Sequence, residues 1–219
     1  MLSSNLPTRW QLTKILINNA DNAKARLLLA HGAGAGANSD VMQQLALALA
    51  SCGIEVWRFN FGYMQQALDE GRRRLPAKMP LLAAEFNQQI AQCPSDLPLF
   101  IGGKSMGGRV ASLLSGQSAV QAVFAFGYPF HAPNKPQWRT EHFADLTAPL
   151  YIAQGERDAF GSKDELSAKH WPKVELYWLT DANHDFVPRV KSGFTQLQLI
   201  SAAAAFCSRK IDEVLLAAK

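Results

Sequence analysis

Ser105 is the residue whose surroundings most clearly indicate chemistry. It stands in a Gly-x-Ser-x-Gly pattern between an apolar run, Leu97–Ile101, and a helix-like segment that begins at Met106. A nucleophilic serine must stand clear of a sheet on a tight turn, and Gly103 and Gly107 let the neighbouring chain approach without Cβ clashes. The pattern therefore predicts that Ser105 is a nucleophile and that the Met106 backbone amide, at the start of the helix, stabilises an oxyanion.

A second Gly-rich segment, His31-Gly32-Ala33-Gly34-Ala35-Gly36, follows another apolar run. A second oxyanion donor is expected after an earlier strand, and the backbone amide of Ala33 has that position. The alternatives for this segment are a simple tight turn and a dinucleotide-binding loop. The alternatives for the segment around Ser105 are a Gly-rich strand-to-helix turn and a phosphate-binding loop. A dinucleotide fingerprint starting at Gly32 would need glycine where Ala37 stands, and a P-loop would need glycine where Pro98 stands. We therefore expect no cofactor.

An activated serine also needs a histidine as general base and an acid that orients this base. Asp158 follows the apolar run 149–154, and His184 follows the next β-rich run, 174–179. Both would then lie at the carboxyl ends of neighbouring strands, where sites are built in α/β proteins. The sequence predicts a Ser105, Asp158, His184 triad, with three other acids as rivals for the role of Asp158: Glu156, Asp181 and Asp185.

The elements that must position these residues alternate along the chain, which is typical of a mostly parallel sheet with helices on both faces. Near-continuous apolar runs are typical of buried parallel strands. One domain is predicted over residues 1–219. The predicted strands are Gln11–Ile17, Arg26–Ala30, Ile54–Phe59, Leu97–Gly102, Val120–Phe126, Leu150–Gln154 and Val174–Leu179, and the predicted helices are Asp40–Ser51, Met79–Ala91, Met106–Leu114, Ser162–His170 and Gly193–Leu216.

Composition narrows the classes of function. The net charge is only +4, so nucleic acid is not an expected partner. The three cysteines are widely spaced and indicate neither a disulfide framework nor a metal site. With no signal peptide and no apolar stretch long enough to cross a bilayer, a cytoplasmic protein without membrane contact is expected. Arg72-Arg73-Arg74 is interpreted as a solvated loop, with a docking spot for an anionic group as the alternative.

The assembled motifs resemble the α/β-hydrolase superfamily nearly end to end, and within it the group of testis-expressed protein 30 and the hydrolase-like domain of a nonspecific-lethal complex subunit. The resemblance implies an eight-stranded type of sheet, the Ser105, Asp158, His184 triad and dienelactone-hydrolase-like relatives, although dienelactone enzymes proper use cysteine as nucleophile. One departure is Gly62, where proline is expected and which should loosen a loop near the site. The motifs that carry the resemblance are His31-Gly32-Ala33-Gly34, Arg58-Phe59-Asn60-Phe61, Gly103-Lys104-Ser105-Met106-Gly107-Gly108-Arg109, Gly127-Tyr128-Pro129-Phe130-His131, Gln154-Gly155-Glu156-Arg157-Asp158 with Phe160-Gly161-Ser162, and Asn183-His184-Asp185-Phe186.

The stretch 127–147 leaves no room for a cap domain, so an open cleft is expected. His31, Tyr128, Phe130 and His131 are the residues expected to wall the substrate pocket; the alternative for the aromatic segment is simple loop packing. The first hypothesis is a serine hydrolase that acts on a small-molecule acyl ester. The alternatives are an acyltransferase, thioesterase or peptidase with the same triad, or a hydrolase-fold module that binds a protein partner.

Overall fold

A computed structural model describes residues 14–218, and seven strands of this part of the chain form one sheet. Six of them correspond to runs predicted from the sequence, and the first overlaps the end of the predicted Gln11–Ile17, whose residues 11–13 lie outside the described part. The resemblance implied eight strands, one more than the described residues contain. The strands are β1 Leu16–Asn18, β2 Ala25–Ala30, β3 Ile54–Phe59, β4 Leu99–Lys104, β5 Val120–Phe126, β6 Leu150–Gly155 and β7 Val174–Leu179.

The strand order is β1-β3-β2-β4-β5-β6-β7. β1 is antiparallel to β3, and every other neighbouring pair is parallel. Because the strands from β2 to β7 all point the same way, their carboxyl ends share one edge of the sheet. Ser105, Asp158 and His184 all lie in the chain beyond that edge.

Helices cover both faces of the sheet. Successive residues of a strand point to opposite faces, so Leu27 and Leu29 of β2 join one core while Leu28 and Ala30 join the other. The first core is closed by α1 and α6, and the second by α2 to α5. The helices are α1 Asp40–Ala50, α2 Gly62–Glu70, α3 Met79–Ile90, α4 Met106–Ser112, α5 Lys163–Leu166 and α6 Gln196–Ala217.

Two helices differ from the sequence prediction. The helix predicted over Ser162–His170 is a single turn, α5, which begins after a capping box between Ser162 and Glu165. α2 was not predicted, because only Tyr63 and Met64 of its nine residues are buried and its apolar periodicity is weak. The expectation that Gly62 loosens a loop is wrong: Gly62 begins α2, and its N–H donates a 2.9 Å hydrogen bond to Glu85 Oε2, which proline could not do.

The segment between β5 and β6 contains one short 3₁₀ helix, Glu141–Asp145, and no cap domain in the described chain. Its aromatic side chains turn inward: Tyr128 and Phe130 are fully buried in the core on the side of α2 to α5, against Phe143 and Trp171.

Within residues 14–218, no helix combines the length and the apolar character needed to cross a membrane.

Candidate active site

Ser105 lies on a strained turn between β4 and α4. Its φ of 52° and ψ of −115° fall in a region that L-residues rarely adopt, and such strain persists only where the surroundings enforce it. The close approach at Gly107 is one enforcing feature, since a Cβ on this glycine would stand 2.5 Å from the Ala30 carbonyl oxygen. The turn projects the Ser105 side chain from the end of the strand into solvent-accessible space.

His184 reaches Ser105 from the loop after β7. Its Nε2 lies 2.8 Å from Ser105 Oγ, and its Nδ1 lies 2.8 Å from Asp158 Oδ2. A carboxylate only accepts, so Nδ1 carries the proton and Nε2 is left to accept from the serine hydroxyl. The Phe160 ring packs against the imidazole with a centroid distance of 4.4 Å. The histidine is thereby in the tautomer and position of a general base.

Asp158 is fully buried at the end of β6 and is held by two further donors. Gln154 Nε2 donates a 2.9 Å bond to Oδ2, and the Phe160 N–H donates a 2.8 Å bond to Oδ1. A buried carboxylate without partners would be very unfavourable, whereas these donors and the His184 N–H satisfy both oxygens. The carboxylate is therefore fixed against the imidazole.

The three rival acids are engaged elsewhere. Glu156 pairs with Lys163 at 2.8 Å and accepts the Asp181 N–H. Asp181 binds the side chains of Arg157 and Arg189, and the hydrogen bond from Arg189 holds the pKa of Asp181 at about 2. Asp185 is mostly exposed and lies 3.4 Å from Lys104 Nζ. None of them forms a hydrogen bond to the His184 ring in the described chain.

The loop after β2 is fixed by a buried histidine. His31 Nδ1 donates a 2.6 Å bond to the Gly32 carbonyl, and its Nε2 accepts a 3.1 Å bond from the Phe61 N–H. Burial lowers the pKa of His31 to about 4, so the imidazole is neutral at pH 7. Tyr63 Oη donates to the Ala33 carbonyl at 3.0 Å. Burial raises the pKa of Tyr63 above its usual value, so this hydroxyl keeps its proton.

These bonds determine where the loop amide points. In a trans peptide the C=O and the N–H point in opposite directions, so a Gly32 carbonyl held by His31 turns the Ala33 N–H away from that ring. A Cβ on Gly32 would lie 3.6 Å from Ser105 Cβ, which shows how closely the loop approaches the serine. Among residues 14–218, the amides of Ala33 and Met106 have no acceptor. Both amides are therefore available to a ligand.

An open cleft of about 460 Å³ lies over Ser105 and His184. The four side chains expected to wall it do not line it, which corrects that prediction. His31, Tyr128 and Phe130 have no exposed surface because they complete the core and support loops, while His131 is 8% exposed and pairs with Trp138. The cleft is lined by Gly32, Ala33, Gly34, Ala35, Ser39, Asp40, Val41, Met42, Lys104, Ser105, Phe160, His184 and Asp185.

A comparison with protein-family profiles identifies the family in which this arrangement occurs. The profile described as "Alpha/beta hydrolase domain" matches residues 23–212, which is most of the chain and includes all three residues of the cluster. The chain belongs to the alpha/beta hydrolase family. Among curated proteins, none matches this sequence.

Solved structures share the fold of this α/β hydrolase. An α/β serine hydrolase homologue from Coxiella burnetii has a TM-score of 0.68 at 17% identity, with 87% of this chain and 89% of that chain covered. A dienelactone hydrolase from Anabaena variabilis has a TM-score of 0.66 at 21% identity, with 89% and 88% covered. A serine hydrolase without a lid from Xanthomonas campestris has a TM-score of 0.60 at 18% identity, with 89% and 88% covered.

Four residues that touch this hydrolase's site or its supports were missed as site residues from the sequence: Lys104, Tyr63, Gln154 and Phe160. Lys104 and Phe160 belong to the motifs that carry the resemblance and lie close to Ser105 and Asp158 in the sequence, so this proximity was a usable signal. Gln154 is the penultimate residue of β6, and a polar side chain near the end of an apolar strand was also a signal. Tyr63 gave no signal, because its contact with the Ala33 carbonyl depends on how α2 crosses over the loop.

Lys104 has a buried side chain at the edge of the cleft. Its Nζ donates a 2.8 Å bond to the backbone carbonyl of His184. Burial lowers the pKa of Lys104, and the nearby carboxylates of Asp185 and Asp158 oppose this shift.

In the described part of the chain, no group of three or more His, Cys, Asp and Glu side chains is arranged to hold a metal ion.

Proposed function

We propose that this α/β hydrolase is a serine esterase that cleaves acyl esters through a covalent acyl-enzyme on Ser105. The observation that carries the proposal is the continuous chain from Ser105 Oγ to His184 to the buried Asp158, with a heavy-atom distance of 2.8 Å at each step. A serine hydroxyl is a weak nucleophile until a positioned base accepts its proton. The same motifs that resemble the testis-expressed protein 30 group support this function.

In the proposed reaction, Ser105 Oγ attacks the ester carbonyl while its proton passes to His184 Nε2. Asp158 stabilises the imidazolium that forms, and the amides of Ala33 and Met106 donate to the oxyanion. Collapse of the tetrahedral intermediate releases the alcohol, which takes the proton from His184. Water then attacks the acyl-enzyme, with His184 again as base, and releases the carboxylic acid and free Ser105. The open cleft suits small or surface-presented acyl groups.

Hydrolysis of a neutral short-chain ester tests the proposal, with 4-nitrophenyl hexanoate as substrate. Ser105→Ala and His184→Ala should each lower kcat/KM by about a thousandfold or more, since triad members act as a unit. Asp158→Asn should also lower it strongly, because it disturbs the His184 tautomer. Retention of wild-type kcat/KM in Ser105→Ala would contradict the proposal.

The chain offers a matched control in a second serine–histidine contact. Ser112 Oγ lies 2.7 Å from His142 Nε2, but Ser112 is buried and its hydroxyl bonds to the Arg109 carbonyl at 2.8 Å. No carboxylate hydrogen bonds to the His142 ring among the described residues, and neither residue lines the cleft. Ser112→Ala should therefore keep the hydrolytic rate. A loss equal to that of Ser105→Ala would show that the assay reports folding and not the triad.

A further inference from the structure

A second cleft adjoins the one over Ser105. It has a volume of about 370 Å³ and is bounded by α2, the following turn and the loop after β2. The two clefts share Ala33 and Gly34 in their walls. A substrate whose carbonyl oxygen is bound by the Ala33 amide can therefore extend across Gly34 into the second cleft. The full lining of the second cleft is Ala33, Gly34, Met64, Ala67, Leu68, Gly71, Arg72, Arg73 and Arg74.

This second cleft has an apolar wall and a basic rim. Met64, Ala67 and Leu68 come from one side of α2, and Leu68 is 47% exposed, which is high for a large apolar residue. α2 ends at Glu70, and Gly71, with a φ of 62°, turns the chain so that three arginines follow along the rim. A ligand that fits here has an aliphatic portion that contacts α2 and an anionic group at the arginines.

Two of the three arginines have a structural explanation. Arg72 and Arg74 both bind Glu70, at 2.5 and 2.6 Å, and these hydrogen bonds lower the pKa of Glu70 to about 2. Cations at the carboxyl end of a helix are also favourable for its dipole. One carboxylate cannot neutralise three guanidinium groups, so the rim keeps a net charge of about +2 at pH 7.

Arg73, unlike Arg72 and Arg74, has no structural contact in the described chain that explains its presence in the rim. It is exposed, it lies between the two paired arginines, and within residues 14–218 its guanidinium forms no hydrogen bond or ion pair. A guanidinium presents a planar set of donors that matches carboxylate and phosphate oxygens. Arg73 is therefore the group in the rim that is free to bind an anion that enters the cleft.

We propose that the second cleft is a substrate subsite, in which Arg73 binds an anionic group of the ester while Met64 and Leu68 contact its aliphatic portion. This inference rests on the proposed function, and it adds the substrate class: esters that carry a carboxylate or phosphate several bonds from the scissile carbonyl. The anion belongs either to the acyl group or to the alcohol, and both arrangements have the same recognition chemistry.

The test uses two pairs of esters of matched size. In the acyl pair, 4-nitrophenyl hexanoate is compared with 4-nitrophenyl hemiadipate, in which a carboxylate replaces the terminal methyl group. In the alcohol pair, 3-carbamoylphenyl hexanoate is compared with 3-carboxyphenyl hexanoate, in which a carboxylate replaces the neutral amide. The ratio of kcat/KM for the anionic over the neutral ester is measured in wild type, Arg73→Gln, Arg73→Glu and Arg209→Gln. Arg209 is an exposed arginine on α6, outside both clefts, so its variant controls for net charge.

For one of the two pairs, Arg73→Gln should lower the ratio about tenfold, chiefly through KM, and Arg73→Glu should lower it further. The pair that responds identifies the side of the ester that enters the subsite. Arg209→Gln should leave both ratios at the wild-type value. Equal ratios in wild type and all Arg73 variants, with normal turnover of the neutral esters, would overturn the subsite and leave the proposed function intact.

If the wild-type protein hydrolyses none of these esters, a binding measurement tests the subsite separately from the proposed function. Ser105→Ala and Ser105→Ala/Arg73→Gln are titrated calorimetrically with monomethyl adipate, and with methyl hexanoate as the neutral control. Binding of monomethyl adipate that weakens about tenfold on loss of Arg73, with methyl hexanoate unaffected, would support an anion site even if wild type hydrolyses no ester. If loss of Arg73 changes neither the kcat/KM ratios nor the affinity for monomethyl adipate, the proposed subsite is overturned.

Discussion

Lys104 and His184 are joined by a 2.8 Å hydrogen bond that Lys104 Nζ donates to the backbone carbonyl of His184. Lys104 immediately precedes Ser105, so this bond connects the strand that leads to Ser105 to the loop that carries His184. The loop is further held by the Asp158–His184 contact and by Phe160. The geometry of the site therefore depends on a residue that neither donates nor accepts a proton in the proposed reaction.

Lys104→Met should lower kcat for 4-nitrophenyl hexanoate about tenfold, with a smaller change in KM. The methionine fills similar space but leaves the His184 carbonyl without its donor, and small displacements of a reacting group are costly. Steady-state kinetics measures the effect. Lys173→Met is the matched control, because Lys173 Nζ also donates to a backbone carbonyl, that of Thr147, at 3.0 Å and away from the site. An unchanged kcat in Lys104→Met would contradict the positioning role.

The backbone strain at Ser105 should be measurable as a difference in the free energy of unfolding between two variants of this residue. At a φ of 52° and a ψ of −115°, glycine relieves strain that alanine keeps, and both substitutions remove the hydroxyl. Ser105→Gly should therefore have a free energy of unfolding about 1 kcal/mol higher than Ser105→Ala, after the greater entropy of glycine in the unfolded chain is included. Urea denaturation measures the difference. A Ser105→Gly protein less stable than Ser105→Ala would show that the turn is unstrained.

Gly107→Ala should destabilise the fold by about 1–3 kcal/mol or more, since the new Cβ would meet the Ala30 and His31 carbonyl oxygens at 2.5 and 2.7 Å. Backbone atoms of a central strand cannot move aside easily. Gly34→Ala is the matched control for stability, because a Cβ there has no heavy atom within 4 Å. Thermal and urea unfolding should separate the two variants, and equal stability would contradict the close packing at Gly107.

Stability should fall as the pH is lowered from about 6.5 to about 4. His31 is neutral in the fold with a pKa of about 4, against a usual value of 6.5. Between these values the unfolded chain binds a proton that the folded chain does not, so unfolding becomes easier as the pH falls. The contribution of this group is on the order of 3 kcal/mol across the window and is constant below it.

His142 contributes with the same sign, because burial and Arg109 lower its pKa. The free energy of unfolding is therefore measured at several pH values for wild type, His31→Gln and His142→Gln. His31→Gln should flatten the pH dependence more than His142→Gln does. A slope in His31→Gln equal to that of wild type would contradict the assignment of the effect to His31.

Much of the fold could be predicted from the sequence because the central strands are buried on both faces and the outer strand β7 is still rich in apolar residues. The apolar runs at Ile54–Phe59, Val120–Phe126 and Val174–Leu179 coincide with β3, β5 and β7, and their carboxyl ends locate the loops that carry the site. The acid could be chosen over its rivals only by strand order. The engagement of Glu156 and Asp181 with lysine and arginine side chains depends on tertiary contacts that no local pattern encodes.

The side chains that line the cleft could not be predicted, because their direction also depends on tertiary contacts. Tyr128 and Phe130 follow β5 at the correct edge, but whether aromatic side chains there face the cleft or the core depends on the path of the segment up to β6. That path turns them toward Phe143 and Trp171. α2 was missed because its stability comes from packing of Tyr63 and Met64 and not from a strong periodic pattern, so its role in fixing the Ala33 loop was missed as well.

The central claim, that Ser105 is activated by His184, is tested most directly by reaction with a fluorophosphonate probe followed by peptide mapping. The probe forms a stable bond only with an activated serine. We expect one labelled peptide, with the adduct on Ser105, no label in Ser105→Ala, and labelling at least a hundredfold slower in His184→Ala, with Ser112 unlabelled throughout. A folded wild-type protein that stays unlabelled, or labelling of Ser105 at the same rate without His184, would contradict the account.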